Sequence, residues 1–303
     1  MPSATDSIRS AEFLDVDAGH ALVIAIDTLV DGVHFASGTP AADVGFKALA
    51  VNLSDLAAMG AAPRAARTSL ALPGEDDDED DAWIADFEEG LNILAGRHHV
   101  ATAQPLTTRG PLCVTVEALG VVPWGMALGR GGARPGDRIL VTGTLGDAGL
   151  ALSAESAALD AHARAWLQTR LARPEPRVEA GIALRGLASA AIDISDGLCA
   201  DLGHILEASG AGARLMVDDI PLSRTLTQGV PRERALALAL SSGDDYELCF
   251  TVAEEHLAEA GARLQDLACG FACIGTITAN GALQCLRTDG SHFEPAAGYR
   301  HFP

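Results

Sequence analysis

The sequence predicts an α/β (α+β) protein made of two domains. Short strand-like apolar runs alternate along the chain with Ala- and Leu-rich stretches of helical length, which is typical of proteins that mix sheets with helices. The chain has 303 residues, a length that fits one large domain or two ordinary ones. Hydrophobic residues make up 48% of it, which is enough to form cores in both.

The N-terminal half is predicted to contain two strands and two helices. Strands are expected at 21–26, a continuous apolar run, and at 112–122, where the pattern alternates. Helices are expected at 41–59, which is rich in Ala and Leu, and at 83–97, which is amphipathic. The acidic run 75–81 precedes the second helix. Such a run is typical of a solvated loop, and it also suits a helix N-terminus.

The motif Pro135-Gly136-Asp137 predicts a turn and, with it, the boundary between domains 1–133 and 134–303. Strand and helix signals restart after this turn. The later strands are expected at 139–142, 190–194, 214–217, 247–252 and 272–277. The later helices are expected at 163–171, 177–187, 198–208, 232–240 and 254–267.

The chain carries 21 basic and 41 acidic residues, a net charge of −20. This balance argues against a nucleic-acid binder, which needs a basic face. It is compatible with a protein that meets phosphate groups through bound cations, and equally with an acid excess that serves solubility. The single lysine stands in Gly45-Phe46-Lys47-Ala48, so the Gly-Lys-Ser/Thr motif of a P-loop is absent.

Membrane and secretion signals are also missing from the sequence. No apolar run reaches the length of a membrane helix and no basic-then-apolar leader opens the chain, so we expect a cytoplasmic protein without membrane contact. Several of the six cysteines lie within apolar segments such as Leu112-Cys113-Val114, which is typical of buried thiols in a reducing compartment. Cys269 and Cys273 lack a second ligand pair nearby, so no zinc site is expected.

Acidic residues beside Ser, Thr or Gly stand at the edges of several apolar segments. They are Asp27, Asp55, Asp193, Asp196, Asp244 and Asp245. Carboxylates that converge from the ends of elements repel one another unless a cation lies between them. Oxygen ligands of this kind suit Mg²⁺, which offsets negative charge in phosphoryl transfer. Taken singly, each is also an ordinary turn or helix-capping residue.

Asp193 and Asp196 give the strongest of these signals because they stand at a predicted strand-to-helix junction, where a helix N-terminus favours phosphate. His34 lies near apolar residues and is either a structural histidine or a ligand. Arg109 and Arg130 lie among glycines, where an arginine either clamps a phosphate or is an ordinary surface residue.

These residues belong to longer strings that resemble the thiamine-monophosphate kinase family, within the aminoimidazole ribonucleotide synthetase-like superfamily. The longest string extends from Lys47 to Ala61 around Asp55. The others are Asp27-Thr28-Leu29-Val30 through His34-Phe35, Thr107-Thr108-Arg109-Gly110-Pro111, Arg134-Pro135-Gly136-Asp137, Val141-Thr142-Gly143-Thr144, Asp193-Ile194-Ser195-Asp196-Gly197-Leu198 and Asp245-Tyr246-Glu247-Leu248-Cys249-Phe250. Their order and spacing hold from about residue 20 to the end.

The resemblance implies an N-terminal sheet domain that dimerises with that of a second subunit, and a C-terminal α/β domain. It implies that ATP phosphorylates thiamine monophosphate to thiamine diphosphate in the presence of several Mg²⁺ ions. The implied metal ligands are Asp27, Asp55, Asp193 and Asp196; the implied ATP contacts are Arg130 and Ser195, and the implied thiamine contacts are His34 and Asp244. An ionised acceptor phosphate needs no strong base, so catalysis rests on positioning and charge neutralisation.

Several positions depart from the family pattern. Where the family has a metal-binding acidic pair, this chain has Arg9-Ser10, and where it has two hydroxyl ligands, this chain has Ala25-Ile26. Gln104-Pro105-Leu106 replaces a metal-binding Asp and its glycines. Asp244 replaces a Glu, and Ala296 replaces a Trp that stacks on the substrate. Two hypotheses remain, which the number of bound Mg²⁺ ions separates. One is an active kinase, and the other is a catalytically impaired paralogue that binds nucleotide or thiamine phosphate without efficient turnover. Another enzyme of the superfamily would instead show ATP turnover with a different acceptor.

Overall fold

The computed structural model describes residues 16–74, 77–279, 281–296 and 298. The chain divides into two compact units, the first made of Met1–Leu56 and Ala62–Gly125 and the second of Ala57–Ala61 and Met126–Pro303. The domain boundary between residues 133 and 134 stays a prediction. Among the described residues, none of the helices combines the length and the hydropathy needed to cross a membrane.

The first unit is built on a four-stranded sheet in the order β1-β4-β2-β3. Its strands are β1 (His20–Val30), β2 (Ala62–Leu72), β3 (Leu106–Arg109) and β4 (Cys113–Pro123). Its helices are α1 (Ala41–Ala58), whose last residues belong to the second unit, and α2 (Asp77–Arg97). Strand β4 pairs antiparallel with β1 and with β2, and β3 pairs parallel with β2.

Helices α1 and α2 approach each other closely at two glycines. A Cβ atom on Gly45 would lie 2.0 Å from the carbonyl oxygen of Phe87, and one on Gly90 would lie 1.7 Å from that of Ala42. The two backbones are therefore in contact, and any side chain at these positions would force them apart. The fully buried side chains of Phe46 and Phe87 lie on the same two helices and form part of this unit's core.

Strand β1 has one buried and one exposed face. Ala25 and Leu29 are buried, whereas Leu22, Ile24 and Ile26 on the other face are 41%, 57% and 63% exposed. The exposed face of an antiparallel sheet normally carries polar residues, so three apolar residues in alternation are unusual. An apolar part of the sheet is thus uncovered in the single chain.

The second unit is built on a six-stranded sheet in the order β10-β7-β9-β5-β8-β6. Its strands are β5 (Arg138–Thr142), β6 (Ala188–Asp193), β7 (Gly212–Met216), β8 (Leu248–Val252), β9 (Phe271–Thr278) and β10 (Leu283–Leu286). Its helices are α3 (Asp147–Leu152), α4 (Ala161–Ala172), α5 (Val178–Ala183), α6 (Leu198–Ser209), α7 (Arg224–Gly229), α8 (Arg232–Ser241) and α9 (Leu257–Gln265).

The core of this unit joins the sheet to α6 and α8. Ile139 of β5 and Ile192 of β6 belong to one buried cluster with Leu202 of α6 and Leu236 of α8. The pairings β5/β8 and β6/β8 are both antiparallel, so β5 and β6 run in the same direction and end at the same edge of the sheet. The start of β8 lies at that edge too.

The structure corrects several predicted elements. Strand β1 continues to Val30, so Asp27 lies within the strand and not at its end. Helix α2 begins at Asp77, so the acidic run is largely helical; Glu75 and Asp76 lie outside the described residues. Helix α5 ends at Ala183, four residues before the predicted end at residue 187. Strands β2, β3 and β10 and the short helices α3 and α7 were not predicted.

Candidate active site

Three loops of the second unit meet at the edge where β5 and β6 end. They are residues 143–146 after β5, 194–197 after β6, and 242–247 before β8. Backbone hydrogen bonds join the last two loops: Asp244 N–H donates to the Ser195 carbonyl at 2.9 Å, and Tyr246 N–H donates to the Ile194 carbonyl at 2.8 Å. The predicted residues Asp193, Ser195, Asp196 and Asp244 are therefore close together.

The close contact between these loops depends on Gly243. A Cβ atom at this position would lie 1.9 Å from the Ser195 carbonyl oxygen, far inside van der Waals contact. Gly197, immediately before α6 begins, has a φ of 109°, a backbone conformation that glycine adopts without strain and other residues rarely adopt. Glycine at both positions lets the 242–247 loop lie directly on the 194–197 loop.

A third carboxylate, Asp201 in the first turn of α6, supports the 194–197 loop. It is 2% exposed, and its Oδ2 atom accepts hydrogen bonds from the backbone N–H groups of Ser195 and Asp196, both at 3.0 Å. Burial and, after it, the negative charges of Asp193 and Asp196 together raise the pKa of Asp201 to about 7. Sequence reasoning missed this residue.

The donor chemistry of this sheet edge suits Mg²⁺. Asp193 ends β6, and Asp196 follows it in the 194–197 loop, whose N–H group at Asp196 binds the buried Asp201 carboxylate at 3.0 Å, so three acidic residues lie along one short stretch of chain. Across the part of the chain that the structure describes, no three acidic, His or Cys side chains already form a metal-binding group. The two carboxylates thus fit a cation that takes its other ligands from water and phosphate oxygens.

A buried ionic cluster lies beneath the loops, centred on Glu247. This carboxylate is fully buried and accepts hydrogen bonds from Arg177 Nε at 2.6 Å, Arg177 Nη2 at 2.5 Å, Arg170 Nη2 at 3.1 Å and the Thr142 hydroxyl at 2.7 Å. Arg170 Nη2 also donates to the Thr144 carbonyl at 3.1 Å. The cluster therefore joins α4, the segment before α5 and the loop after β5 to the start of β8.

Two aspartates extend this cluster. Asp245 is 2% exposed, and its two carboxylate oxygens lie 2.9 and 3.0 Å from the N–H of Gly146, which they accept. Asp147 accepts from the Ser223 hydroxyl at 2.5 Å and from Trp166 Nε1 at 3.2 Å. Burial raises the pKa of both carboxyl groups above the usual range. These acids fix the loops. The sequence pattern indicated Asp245 together with Asp244, whereas Asp147 was not predicted.

The predicted residues of the first unit lie on β1, on α1 and in the turn after β1. Asp27 is half-buried and lies opposite Val116 of β4, and Asp55 is half-buried near the end of α1. His34 Nδ1 accepts the N–H of Val30 at 3.0 Å. Because Nδ1 is the acceptor, the neutral imidazole carries its proton on Nε2 and can donate from that atom.

The two arginines are both exposed and differ in their contacts. Arg130 lies in the loop before β5, and its carbonyl accepts from the Ser209 hydroxyl at 3.4 Å. Arg109 donates from Nη2 to the Gly74 carbonyl, so it holds the chain that follows β2. This contact supports the interpretation of Arg109 as an ordinary surface arginine.

The positions that depart from the family pattern are only partly described, since Arg9 and Ser10 lie outside the described residues. Leu106 begins β3 opposite Ser69 and is 43% exposed, so an apolar side chain lies at the surface there. The Ala296 carbonyl accepts from the Ser241 hydroxyl at 2.9 Å. A Cβ on Gly298 would lie 2.9 Å from the Asp196 carbonyl oxygen, so the C-terminal segment borders the 194–197 loop.

Comparison with known proteins finds a family across both units. Residues 9–122 match the model of the AIR synthase related protein, N-terminal domain, and residues 134–286 match that of the AIR synthase related protein, C-terminal domain. The thiamine-monophosphate kinase of Escherichia coli (strain K12) is 46% identical over 317 aligned positions, which cover 98% of this chain and 95% of that protein.

Solved structures agree with this similarity. The thiamine-monophosphate kinase of Stenotrophomonas maltophilia K279a superposes with a TM-score of 0.85 at 42% identity, covering 92% of this chain and 89% of that one. The structure of AaThiL complexed with AMPPCP and TMP superposes with a TM-score of 0.82 at 29% identity, covering 95% of this chain and 89% of that one. The predicted fold class is confirmed.

Proposed function

The chain belongs to the thiamine-monophosphate kinase family of AIR synthase related proteins, and from that premise we propose that it phosphorylates thiamine monophosphate. ATP donates its γ-phosphoryl group to the phosphate of thiamine monophosphate, which gives thiamine diphosphate and ADP. The observation that carries the proposal is the 46% identity to a thiamine-monophosphate kinase along nearly the whole chain. The grouping of Asp193, Ser195, Asp196 and Asp244 at one sheet edge supports it.

The proposed metal ligands are Asp27, Asp55, Asp193 and Asp196. The crowding of Asp193 and Asp196 against Asp201 supports two of these assignments, because the site concentrates negative charge that a cation would offset. When bound, Mg²⁺ neutralises charge on the phosphate groups. The carboxylates hold their positions because β6 and the first turn of α6 are rigid elements on either side of the loop.

Ser195 and Arg130 are proposed to contact ATP, and His34 and Asp244 the thiamine substrate. The His34 Nε2–H group is a donor that suits a phosphate oxygen. Asp244 is a carboxylate that suits the positively charged thiazolium ring of thiamine. The acceptor phosphate is already ionised at neutral pH, so these residues bind and orient the reactants and no strong general base is needed.

The same proposal includes a homodimer that works in the cytoplasm. Leu22, Ile24 and Ile26 on the exposed face of β1 support a sheet-to-sheet contact with a second copy, since burial removes their apolar surface from water. All six cysteines are free thiols, which supports a reducing compartment.

Product analysis of a small set of variants tests the proposed site. The unmodified protein should form thiamine diphosphate from ATP, Mg²⁺ and thiamine monophosphate, and both Asp55→Ala and Asp193→Asn should reduce the rate by about 100-fold or more. Asp266→Asn removes the same charge at an exposed position on the end of α9 and is the matched control, with an unchanged rate. Equal rates in all four proteins would contradict the assignment of the metal ligands.

A second candidate, a catalytically impaired paralogue, is favoured by one observation. Leu106 places an exposed apolar side chain where the family has a metal-binding carboxylate. If the unmodified protein forms no thiamine diphosphate and Leu106→Asp restores it, this second candidate is correct. If Leu106→Asp changes the rate less than about threefold, Leu106 is compatible with catalysis and the kinase proposal stands.

A further inference from the structure

The loop that carries Asp244 has an unusual backbone. Asp244 has a φ of 66° and Tyr246 a φ of 50°, whereas non-glycine residues rarely adopt positive φ. Such conformations persist only where the surroundings impose them, and they cluster at functional sites. Here the surroundings include the hydrogen bonds from the N–H groups of Asp244 and Tyr246 to the 194–197 loop.

Buried anchors flank Tyr246 on both sides. Asp245 accepts the Gly146 N–H, and Glu247 is held by two arginines and the Thr142 hydroxyl. The Glu247 carbonyl accepts the N–H of Ile194 at 2.8 Å, which adds a further backbone link to the 194–197 loop. The backbone is thus anchored at Asp245, Tyr246 and Glu247, three consecutive residues, and the buried Tyr246 ring has little freedom to move.

The hydroxyl of this fixed ring reaches back to Asp244. Tyr246 is 9% exposed, and its hydroxyl donates to Asp244 Oδ1 at 3.0 Å. A hydrogen bond from a neutral hydroxyl to a carboxylate is stronger than one between neutral groups, and it also restricts the rotation of the carboxylate. Asp244 is itself half-buried, so this hydrogen bond lies in a partly enclosed part of the loop.

We propose that Tyr246 is a positioning residue, whose hydroxyl holds the Asp244 carboxylate in the orientation that binds the cationic ring of the thiamine substrate. The inference rests on the proposed function, in particular on the role of Asp244 there. Tyr246 does not touch the reacting atoms. It lowers the cost of ordering Asp244 when substrate binds, because the carboxylate is already oriented.

Steady-state kinetics of Tyr246→Phe test this inference, because the change removes one oxygen and keeps the buried ring. The KM for thiamine monophosphate should rise about tenfold, while the KM for ATP changes less than about twofold. The thermal unfolding midpoint should stay within about 3 °C. A purely structural role would lower that midpoint and leave both KM values unchanged.

Asp244→Ala and the double variant Asp244→Ala/Tyr246→Phe separate the possible failures. In the Asp244→Ala background the hydroxyl has lost its acceptor, so Tyr246→Phe should cause no further rise in the KM for thiamine monophosphate. If Asp244→Ala raises this KM and Tyr246→Phe does not, the inference is wrong and the proposed function stands. If Asp244→Ala leaves it unchanged, the assignment of Asp244 fails and the inference fails with it.

Discussion

Asp245 is a buried carboxyl group that binds a backbone N–H, and its environment should make stability depend on pH. Burial raises its pKa well above the usual 3.8 in the folded protein. The folded chain therefore keeps this proton to a higher pH than the unfolded chain does. It follows that the group contributes stability at low pH, and that this contribution is lost as pH rises from about 4 towards the folded-state pKa.

Urea unfolding at about pH 5 and about pH 8 checks this expectation. Asp245→Asn keeps an oxygen that accepts the Gly146 N–H and has no proton to lose, so stability should fall less with rising pH than in the unmodified protein. Asp160→Asn is the matched control, because Asp160 is an exposed N-cap of α4 and asparagine caps equally well. Identical pH dependence in the unmodified protein and Asp245→Asn would contradict the account of this residue.

At the scale of elements, the contact between the 242–247 and 194–197 loops should tolerate no side chain at Gly243. The added Cβ of Gly243→Ala meets the Ser195 carbonyl, a backbone atom that cannot rotate away. We expect the free energy of unfolding to fall by about 2 kcal/mol or more, with loss of activity. Urea unfolding and the product assay measure the two effects.

Gly203 provides the matched control for this prediction. It lies in the interior of α6 with nothing within 4 Å of an added Cβ, so Gly203→Ala should stabilise the protein by about 0.5–1 kcal/mol. The two alanine substitutions should therefore change stability in opposite directions. If both substitutions changed the free energy of unfolding equally, the 242–247 and 194–197 loops would not be in close contact at Gly243.

Some elements were predictable from the sequence and others were not, for physical reasons. Helix α1 is a long stretch rich in Ala and Leu and strand β4 alternates along its length, and both were predicted within two residues of each end. Strand β2 has an Ala- and Arg-rich sequence without a strand pattern, and it forms because β4 pairs along it. Helix α3 has six residues, too few for a helical period to emerge.

The candidate site shows the same division. Asp193 and Asp196 were recognised because a strand-to-helix junction is visible locally. Asp244 was recognised as an acidic residue beside a glycine, and the resemblance supplied Ser195 and the substrate-binding role of Asp244. The ion pair between Arg177 and Glu247 joins residues 70 positions apart, so no local sequence pattern predicts it. Asp201 stands in the first turn of a predicted helix, where acidic residues are common, and only the fold shows that it supports the loop before that helix.

At the scale of the whole molecule, the exposed apolar face of β1 should bury itself against a second copy. The molar mass measured by sedimentation equilibrium should therefore be twice the single-chain mass of 31.2 kDa. Ile24→Glu places a charge on this face and should give the single-chain mass. Ile93→Glu, at a less exposed apolar position on α2, is the control and should stay dimeric. A single-chain mass for the unmodified protein would contradict the dimer.

The transfer of the terminal phosphoryl group of ATP to thiamine monophosphate is the central claim, and a labelled phosphate tests it most directly. The protein is incubated with Mg²⁺, thiamine monophosphate and ATP that carries a radioactive γ-phosphate, and the products are separated by chromatography. The account predicts that the label appears in thiamine diphosphate in step with the ADP that forms. Label that remains in ATP, or appears solely as inorganic phosphate, would contradict it.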